Sequence, residues 1–262
     1  MVEHRSVSQY NQYTRCPYAY FLQRIERVWE RPAAWFPQGT AVHKSAEEWE
    51  RSGRNMSLED AQDVFRDSYA ESVGEYTGVT PNLDYWFASG RYRGEADLER
   101  RYGLGLEQVD RYVGYYNETA PQEVIWITPD GEPAIELEFN VDLDGVQVRG
   151  FIDQVVTDLE SNAVQVRDIK SGNKPGDDFQ LATYAVAVND KYGTEITTGD
   201  YWMGRKGKPT KSYELSDWTK ERLTEEFHKV DAGIRSGDFP AFPEDSKCRF
   251  CTVSASCTFS MT

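Results

Sequence analysis

The 262-residue sequence is poor in the side chains that most often bind metals, with 4 cysteines and 3 histidines. It has no uninterrupted apolar run long enough to cross a bilayer, which argues against a helical membrane span. Its first residues, Met1-Val2-Glu3-His4-Arg5, lack the apolar stretch of a signal peptide, so a cytoplasmic location is expected. Disulfides are disfavoured in such a compartment, and the thiols point instead to metal or redox chemistry. Cations are outnumbered as well: 29 Lys and Arg stand against 44 Asp and Glu, a net charge of −15. That balance argues against broad adhesion to nucleic acid or to an anionic membrane, and leaves room only for a local basic groove. Candidates are Arg91, Arg93, Arg100 and Arg101, and the run Arg205, Lys206, Lys208 and Lys211. Internal repeats and low-complexity segments are absent.

What is present is ordinary for a soluble globular protein, with 39% hydrophobic and 28% charged residues. The chain can hold one large domain or two small ones. Residues 1–122 read as mainly helical. Ser6 or Ser8 suits a helix cap, and Pro17 suits the start of a second short helix, with Cys16 in the turn between them. Residues 31–37 carry two prolines and read as a loop. Residues 39–49 form a helix with Val42, Ala46 and Trp49 on its apolar stripe and His43 beside it. Ser57 opens another helix. Residues 74–94 read as a long irregular connection, followed by two helices at 95–102 and 106–116. From Glu123 the period shifts to two. Residues 135–143 alternate apolar and polar, Asp144-Gly145 is a hairpin turn, and residues 146–153 return. A third strand covers 163–170. Residue 177 is a candidate cap for a helix that puts Gln180 and Tyr184 on one face. A last strand spans 195–203, and Asp217 opens a long helix ended by Gly237. Residues 123–205 therefore form the strand-bearing core. Residues 206–262 form a helix and a cysteine tail, expected to fold back onto the N-terminal part as one unit.

The chemistry concentrates in Gly150-Phe151-Ile152-Asp153, Asp168-Ile169-Lys170 and the helix behind them. Asp168 and Lys170, two apart on a strand, share a face, while Ile169 points into the core. Asp153 on the neighbouring strand can meet Asp168 across the ladder. Two such carboxylates, with the Ile169 carbonyl as a further oxygen, suit a hard divalent cation. Lys170 can then position or help deprotonate an attacking water, or offset charge developing at phosphorus. Isolated Asp-x-Lys pairs are more often surface ion pairs of little worth. At the other end, Cys248-x2-Cys251-x5-Cys257 is a three-thiolate hook that needs a fourth thiolate. Cys16 is the only other cysteine. The three-and-one split favours an iron–sulfur cluster over zinc, which usually takes paired CxxC motifs. The alternative is four unrelated buried thiols.

These motifs together resemble the RecB-type nucleases of the PD-(D/E)xK superfamily, and most closely the iron–sulfur-stapled subset that includes CRISPR-associated exonucleases and AddB-type subunits. Residues 8–21, ending near Cys16-Pro17, resemble the opening motif. Residues 39–43 resemble the Gly-x-x-x-His helix, and residues 150–153 match Gly-x-x-Asp. Asp168-Ile169-Lys170 matches Asp-x-Lys, Gln180 and Tyr184 match Gln-x3-Tyr, and the C-terminal cysteines match the staple. The resemblance implies an α/β, restriction-endonuclease-like core: a mixed, largely antiparallel sheet flanked by helices. It implies that His43, Asp153, Asp168 and the Ile169 carbonyl hold Mg²⁺ or Mn²⁺ and that Lys170 acts at the water or the phosphate. Gln180 and Tyr184 would position Lys170 or contact DNA. Cys16, Cys248, Cys251 and Cys257 would ligate a [4Fe–4S] cluster. The implied activity is a metal-dependent exonuclease acting on DNA, with single strands preferred, in recombination, repair or end processing. A recombination or CRISPR-adaptation protein would be a possible partner, and no membrane would be. Two rival readings are a non-catalytic DNA-end-binding partner and a zinc-stapled interaction module.

Overall fold

The computed structural model describes residues 4–262. Helix α1 (Val7–Arg15) opens on Ser6, whose hydroxyl accepts the Gln9 N–H. Cys16 is extended, and α2 (Pro17–Tyr20) follows with proline at its first position, where no amide hydrogen is needed. One π turn, Phe21–Ile25, completes this arm. Helix α3 (Trp35–Arg51) starts earlier than expected. The prolines at 32 and 37 suggested a loop, but Pro37 lies in the first helical turn, where its missing N–H costs nothing. Helix α4 (Leu58–Val79) is capped by Ser57 and runs on through Gly74 and Gly78, which expectation had placed in a loop. Beyond it, residues 80–93 are irregular apart from one tight turn, Leu83–Tyr85.

Helix α5 (Gly94–Gly114) is one element, not two. The break expected between residues 102 and 106 holds two glycines, at 103 and 105. Gly105 instead lets α4 approach: a Cβ there would lie 2.2 Å from Phe65 Cζ. A π turn, Tyr115–Thr119, closes the helical part.

The sheet follows. Strand β1 (Glu123–Ile125) and β2 (Ile135–Leu143) both pair antiparallel with the long β3 (Val146–Asp158). Asp144 and Gly145 join β2 to β3 with φ of 50° and 89°, the left-handed pair that a two-residue hairpin needs. Strand β4 (Val164–Lys170) pairs antiparallel with β3, from Thr157 opposite Val164 to Gln154 opposite Arg167. After α6 (Asp178–Tyr192), β5 (Thr198–Met203) lies parallel to β4, with Lys170 opposite Met203. Short strands β6 (Lys208–Pro209) and β7 (Tyr213–Glu214) edge β5. Asp177 occupies the cap position of α6, but its side chain caps nothing. Helix α7 (Lys220–Ser236) is capped by Thr219 rather than Asp217.

This seven-stranded, mostly antiparallel sheet flanked by helices is a restriction-endonuclease-like α/β fold. Its two faces bury different partners. Val155, Val166, Tyr201 and Met203 pack on Leu181, Ala182, Leu223 and Phe227 of α6 and α7. Ile169 and Trp202, pointing the other way, pack on Val42, Trp49, Phe65 and Tyr112 of the helical part. The C-terminal tail lies against the N-terminal arm: the Arg31 N–H donates to the Thr252 carbonyl at 2.7 Å, and the Tyr18 N–H to that of Pro240 at 3.2 Å. Among the described residues no helix is long and apolar enough to cross a membrane.

Candidate active site

Three strands and two helices converge where β3 and β4 part. The ladder between them ends at Gln154 opposite Arg167, so Asp153 and Asp168 are the next residues in register. There the Asp153 side chain replaces the ladder: its Oδ2 accepts the Ile169 N–H at 2.8 Å. Strand β2 makes a second departure. Glu136, which the hairpin register would set opposite Asp153, has φ of +46°. A bulky side chain in that conformation is strained, and such strain is commonly stored where a site needs it. Register and proximity agree: the Glu136 carboxylate lies beside that of Asp153. His43 arrives from α3, its Nδ1 3.3 Å from Asp153 Oδ2. Ligand atoms of His43, Glu136 and Asp153 all lie within 4.8 Å of one another.

The crowding shows in the acidities. Burial pushes the Asp153 carboxyl up to about 6; His43 opposes that rise and Asp168 adds to it. Burial, reinforced by Asp153, pushes Glu136 up to about 7. Carboxylates held at such cost are what a divalent cation would repay.

Asp168 and Lys170 form a second constellation on the same edge. Asp168 is 2% exposed. Its Oδ1 accepts from Gln180 Nε2 at 2.6 Å. Lys170 Nζ stands 2.7 Å from Oδ2. That oxygen has no aligned hydrogen-bond donor, so the contact is charge pairing and leaves a lone pair unused. Lys170 also donates to Gln180 Oε1 at 3.1 Å. The second N–H of Gln180 reaches the Tyr184 hydroxyl oxygen at 2.7 Å. One turn of α6 thus fixes both polar ends of Gln180 against Asp168 and Lys170. Tyr184 is buried behind it, and burial, with Asp168 and Asp153 adding to it, holds its phenol well above the usual range. The Lys170 side chain, 29% exposed, is the member that solvent and a substrate can reach.

Every site residue expected in the core is thus placed at this junction: His43, Asp153, Asp168, Ile169, Lys170, Gln180 and Tyr184. One residue was missed. Glu136, not Asp168, completes the tight group with His43 and Asp153. Its place in an alternating strand read as outward-facing. The signal was in the hairpin: a turn at 144–145 sets Glu136 opposite Asp153 by counting back along both strands.

The cysteines lie elsewhere. Cys16, Cys248, Cys251 and Cys257 line one cavity of about 660 Å³ between the N-terminal arm and the tail. Each is half-buried and free. Burial pushes the Cys251 thiol up, and the neighbouring Cys16 and Cys257 add to that. No three of the four sulfurs close to within 4.8 Å of one another among the described residues.

Fold and sequence together place the chain in a class of nucleases: residues 4–258 match the PD-(D/E)XK nuclease superfamily, and the protein belongs to it. Enzymes of this class use Mg²⁺ or Mn²⁺ and bind DNA. Similar proteins are encoded by phages. The Gene 69 protein of Mycobacterium phage D29 is 54% identical over 261 residues, covering 97% of this chain and 96% of its own. That of Mycobacterium phage L5 is 52% identical over 280 residues, covering 97% and 95%.

Proposed function

We propose that the protein is a metal-dependent DNA exonuclease that hydrolyses phosphodiester bonds, preferentially in single strands, during phage recombination, repair or DNA-end processing. The observation that carries the reading is the junction itself. Asp168, Lys170 and Gln180 from β4 and α6 are joined by direct contacts, Asp153 of β3 accepts the backbone N–H of Ile169 between them, and an imidazole from α3 stands against Asp153.

The donor set fits a hard cation. It offers carboxylate oxygens and one imidazole, with the pKa raised on two of the acids and a buried Asp168 oxygen without an aligned hydrogen-bond donor. His43, Glu136, Asp153 and Asp168, with the Ile169 carbonyl, would hold Mg²⁺ or Mn²⁺. When bound, that ion supplies positive charge to offset the charge that builds on phosphoryl and leaving oxygens. The residues do the rest. Gln180 accepts one N–H of Lys170 Nζ and Asp168 pairs with its charge, which leaves N–H donors for an attacking water or a phosphoryl oxygen. Tyr184 holds Gln180 from behind and so acts as a positioning residue.

For the cysteine cavity we propose a [4Fe–4S] cluster held by Cys16, Cys248, Cys251 and Cys257, tying the chain ends into one unit. All four thiols line the same space. The three-and-one split of these cysteines along the chain favours a cluster over zinc, which usually takes paired CxxC motifs.

The test is digestion of end-labelled single- and double-stranded DNA with Mn²⁺. Wild type should release labelled products from single strands faster. Asp168→Ala should fall at least about a hundredfold, the scale of removing one charge-stabilising group. Equal digestion by the variant would remove Asp168 from the mechanism.

A further inference from the structure

Most cations of this acidic protein are already engaged. Arg167 is buried against Asp200 and Glu123, Arg54 against Glu50, and Arg100 and Arg101 against Asp97. Arg111 pairs with Glu107 and donates to the Arg205 carbonyl. The four-arginine group of residues 91–101 is therefore largely spent on structure: Arg91 and Arg100 also lie over the Tyr92 ring. A different set stands apart. Lys174, Arg205, Lys206, Lys208 and Lys211 have no acidic, ring or side-chain hydrogen-bond partner among the described residues. Outside this set, the same holds only for the scattered Arg27, Arg93 and Arg149 among the described residues.

The five are gathered by topology. Lys174 lies on the loop that leaves β4 immediately after Lys170, Arg205 and Lys206 lie on the turn that leaves β5, Lys208 stands opposite Met203 at the start of β6, and Lys211 follows β6 back along β5. Strands β4 and β5 are the parallel pair of the sheet, so both loops emerge from the same edge. The Gly204 N–H donates to the Lys170 carbonyl at 2.9 Å, which pins the start of the basic turn to the active-site strand. The carboxyl ends of adjacent parallel strands are where open α/β sheets bind ligands. Lys174, Lys206, Lys208 and Lys211 are exposed. Exposed, unpaired charges of one sign beside a reactive centre attract the opposite charge. In a chain of net charge −15 they would also orient a polyanion that the remaining surface repels.

We propose that the loop 171–176 and the basic hairpin that follows β5, residues 204–211, form the surface that holds the phosphodiester backbone of the DNA strand as it enters or leaves the Lys170 centre. This rests on the nuclease reading and adds where the substrate lies. Each lysine would neutralise one phosphate, giving affinity without sequence preference.

The experiment uses the full-length protein with a fluorescent single-stranded oligonucleotide in Ca²⁺, measuring anisotropy over a series of salt concentrations. The comparison is between wild type, a quadruple variant (Lys174→Ala, Lys206→Ala, Lys208→Ala, Lys211→Ala) and a control (Arg27→Ala, Arg149→Ala). Mn²⁺-dependent cleavage and melting temperature are measured on each. The quadruple variant should keep its melting temperature and lose at least about tenfold in affinity. Its salt slope should shrink by about 0.7 per phosphate contact removed, up to about 3 in all. The control should match wild type. If wild type cleaves DNA and the quadruple variant keeps both affinity and slope, the proposed surface is overturned while the nuclease reading stands. A wild type that binds the oligonucleotide normally but cleaves nothing, with the quadruple variant weakened, supports the surface and sinks the nuclease reading. A wild type that binds no oligonucleotide overturns the surface as well.

Discussion

At the scale of single residues, the site is a set of acids that oppose one another until something positive arrives. The carboxyls of Asp153 and Glu136 have their pKa pushed up to about 6 and about 7. An acid whose folded pKa lies above its unfolded one keeps its proton to higher pH when folded. Folding then takes up protons, and stability falls as pH rises from the ordinary carboxylate range to about 7. Metal-free protein should therefore show a melting temperature that declines between about pH 4.5 and 7.5. Mn²⁺ should raise it more at pH 7.5 than at pH 5, because ligands must lose their protons to bind. A thermal-shift series across pH, with and without the ion, checks both signs. Behind Lys170, Tyr184→Phe removes only the oxygen that holds Gln180 Nε2. We expect about a tenfold drop in kcat with KM little changed, and a larger loss for Gln180→Ala; single-turnover kinetics separates the two. Asp153, Asp168, Lys170 and Gln180 were legible as residues because their spacing matches strand and helix periods. Glu136 carried no motif of its own and is reached only by counting back from the 144–145 turn to the residue opposite Asp153.

At the scale of elements, most boundaries followed from caps and turns. Ser6, Ser57 and the Asp144-Gly145 hairpin all act as expected. The helix boundaries missed at residues 74–79 and 103–105 contain glycines, and at one of them packing uses the missing side chain. Gly105 is that case. By helix propensity alone, Gly105→Ala should stabilise an exposed helix by nearly 1 kcal/mol. Here the added carbon would meet the Phe65 ring at 2.2 Å. Overpacking of this kind costs about 1–3 kcal/mol, so the substitution should lower the denaturant midpoint. Phe65→Leu in the same chain should recover part of the loss. A stabilised single variant would show that α4 and α5 do not approach as described.

At the scale of the whole molecule, the chain closes on itself. The N-terminal arm and the tail meet through backbone hydrogen bonds at Arg31 and Tyr18, with the four cysteines around the cavity between them. Spacing alone suggested this closure, since a three-thiolate hook needs a fourth ligand and only Cys16 was left. Cys16→Ser should abolish the visible absorption of an iron–sulfur protein, remove bound iron and lower the melting temperature. Unchanged iron content in that variant would separate Cys16 from the cluster. The charge distribution was less legible. Two basic runs stood out in the sequence, but pairing within the fold spends most of one of them and leaves the other unpaired beside Lys170. Only three-dimensional contacts decide which charges are spent.

The central claim is that a divalent cation sits where β2, β3 and α3 meet. The direct measurement is Mn²⁺ titration followed by loss of the free-ion paramagnetic resonance signal, for wild type and for Asp153→Asn. Asparagine keeps the shape and removes the charge that His43 and Glu136 share. Wild type should take up the ion saturably and the variant should not. Equal uptake by both proteins would contradict the account.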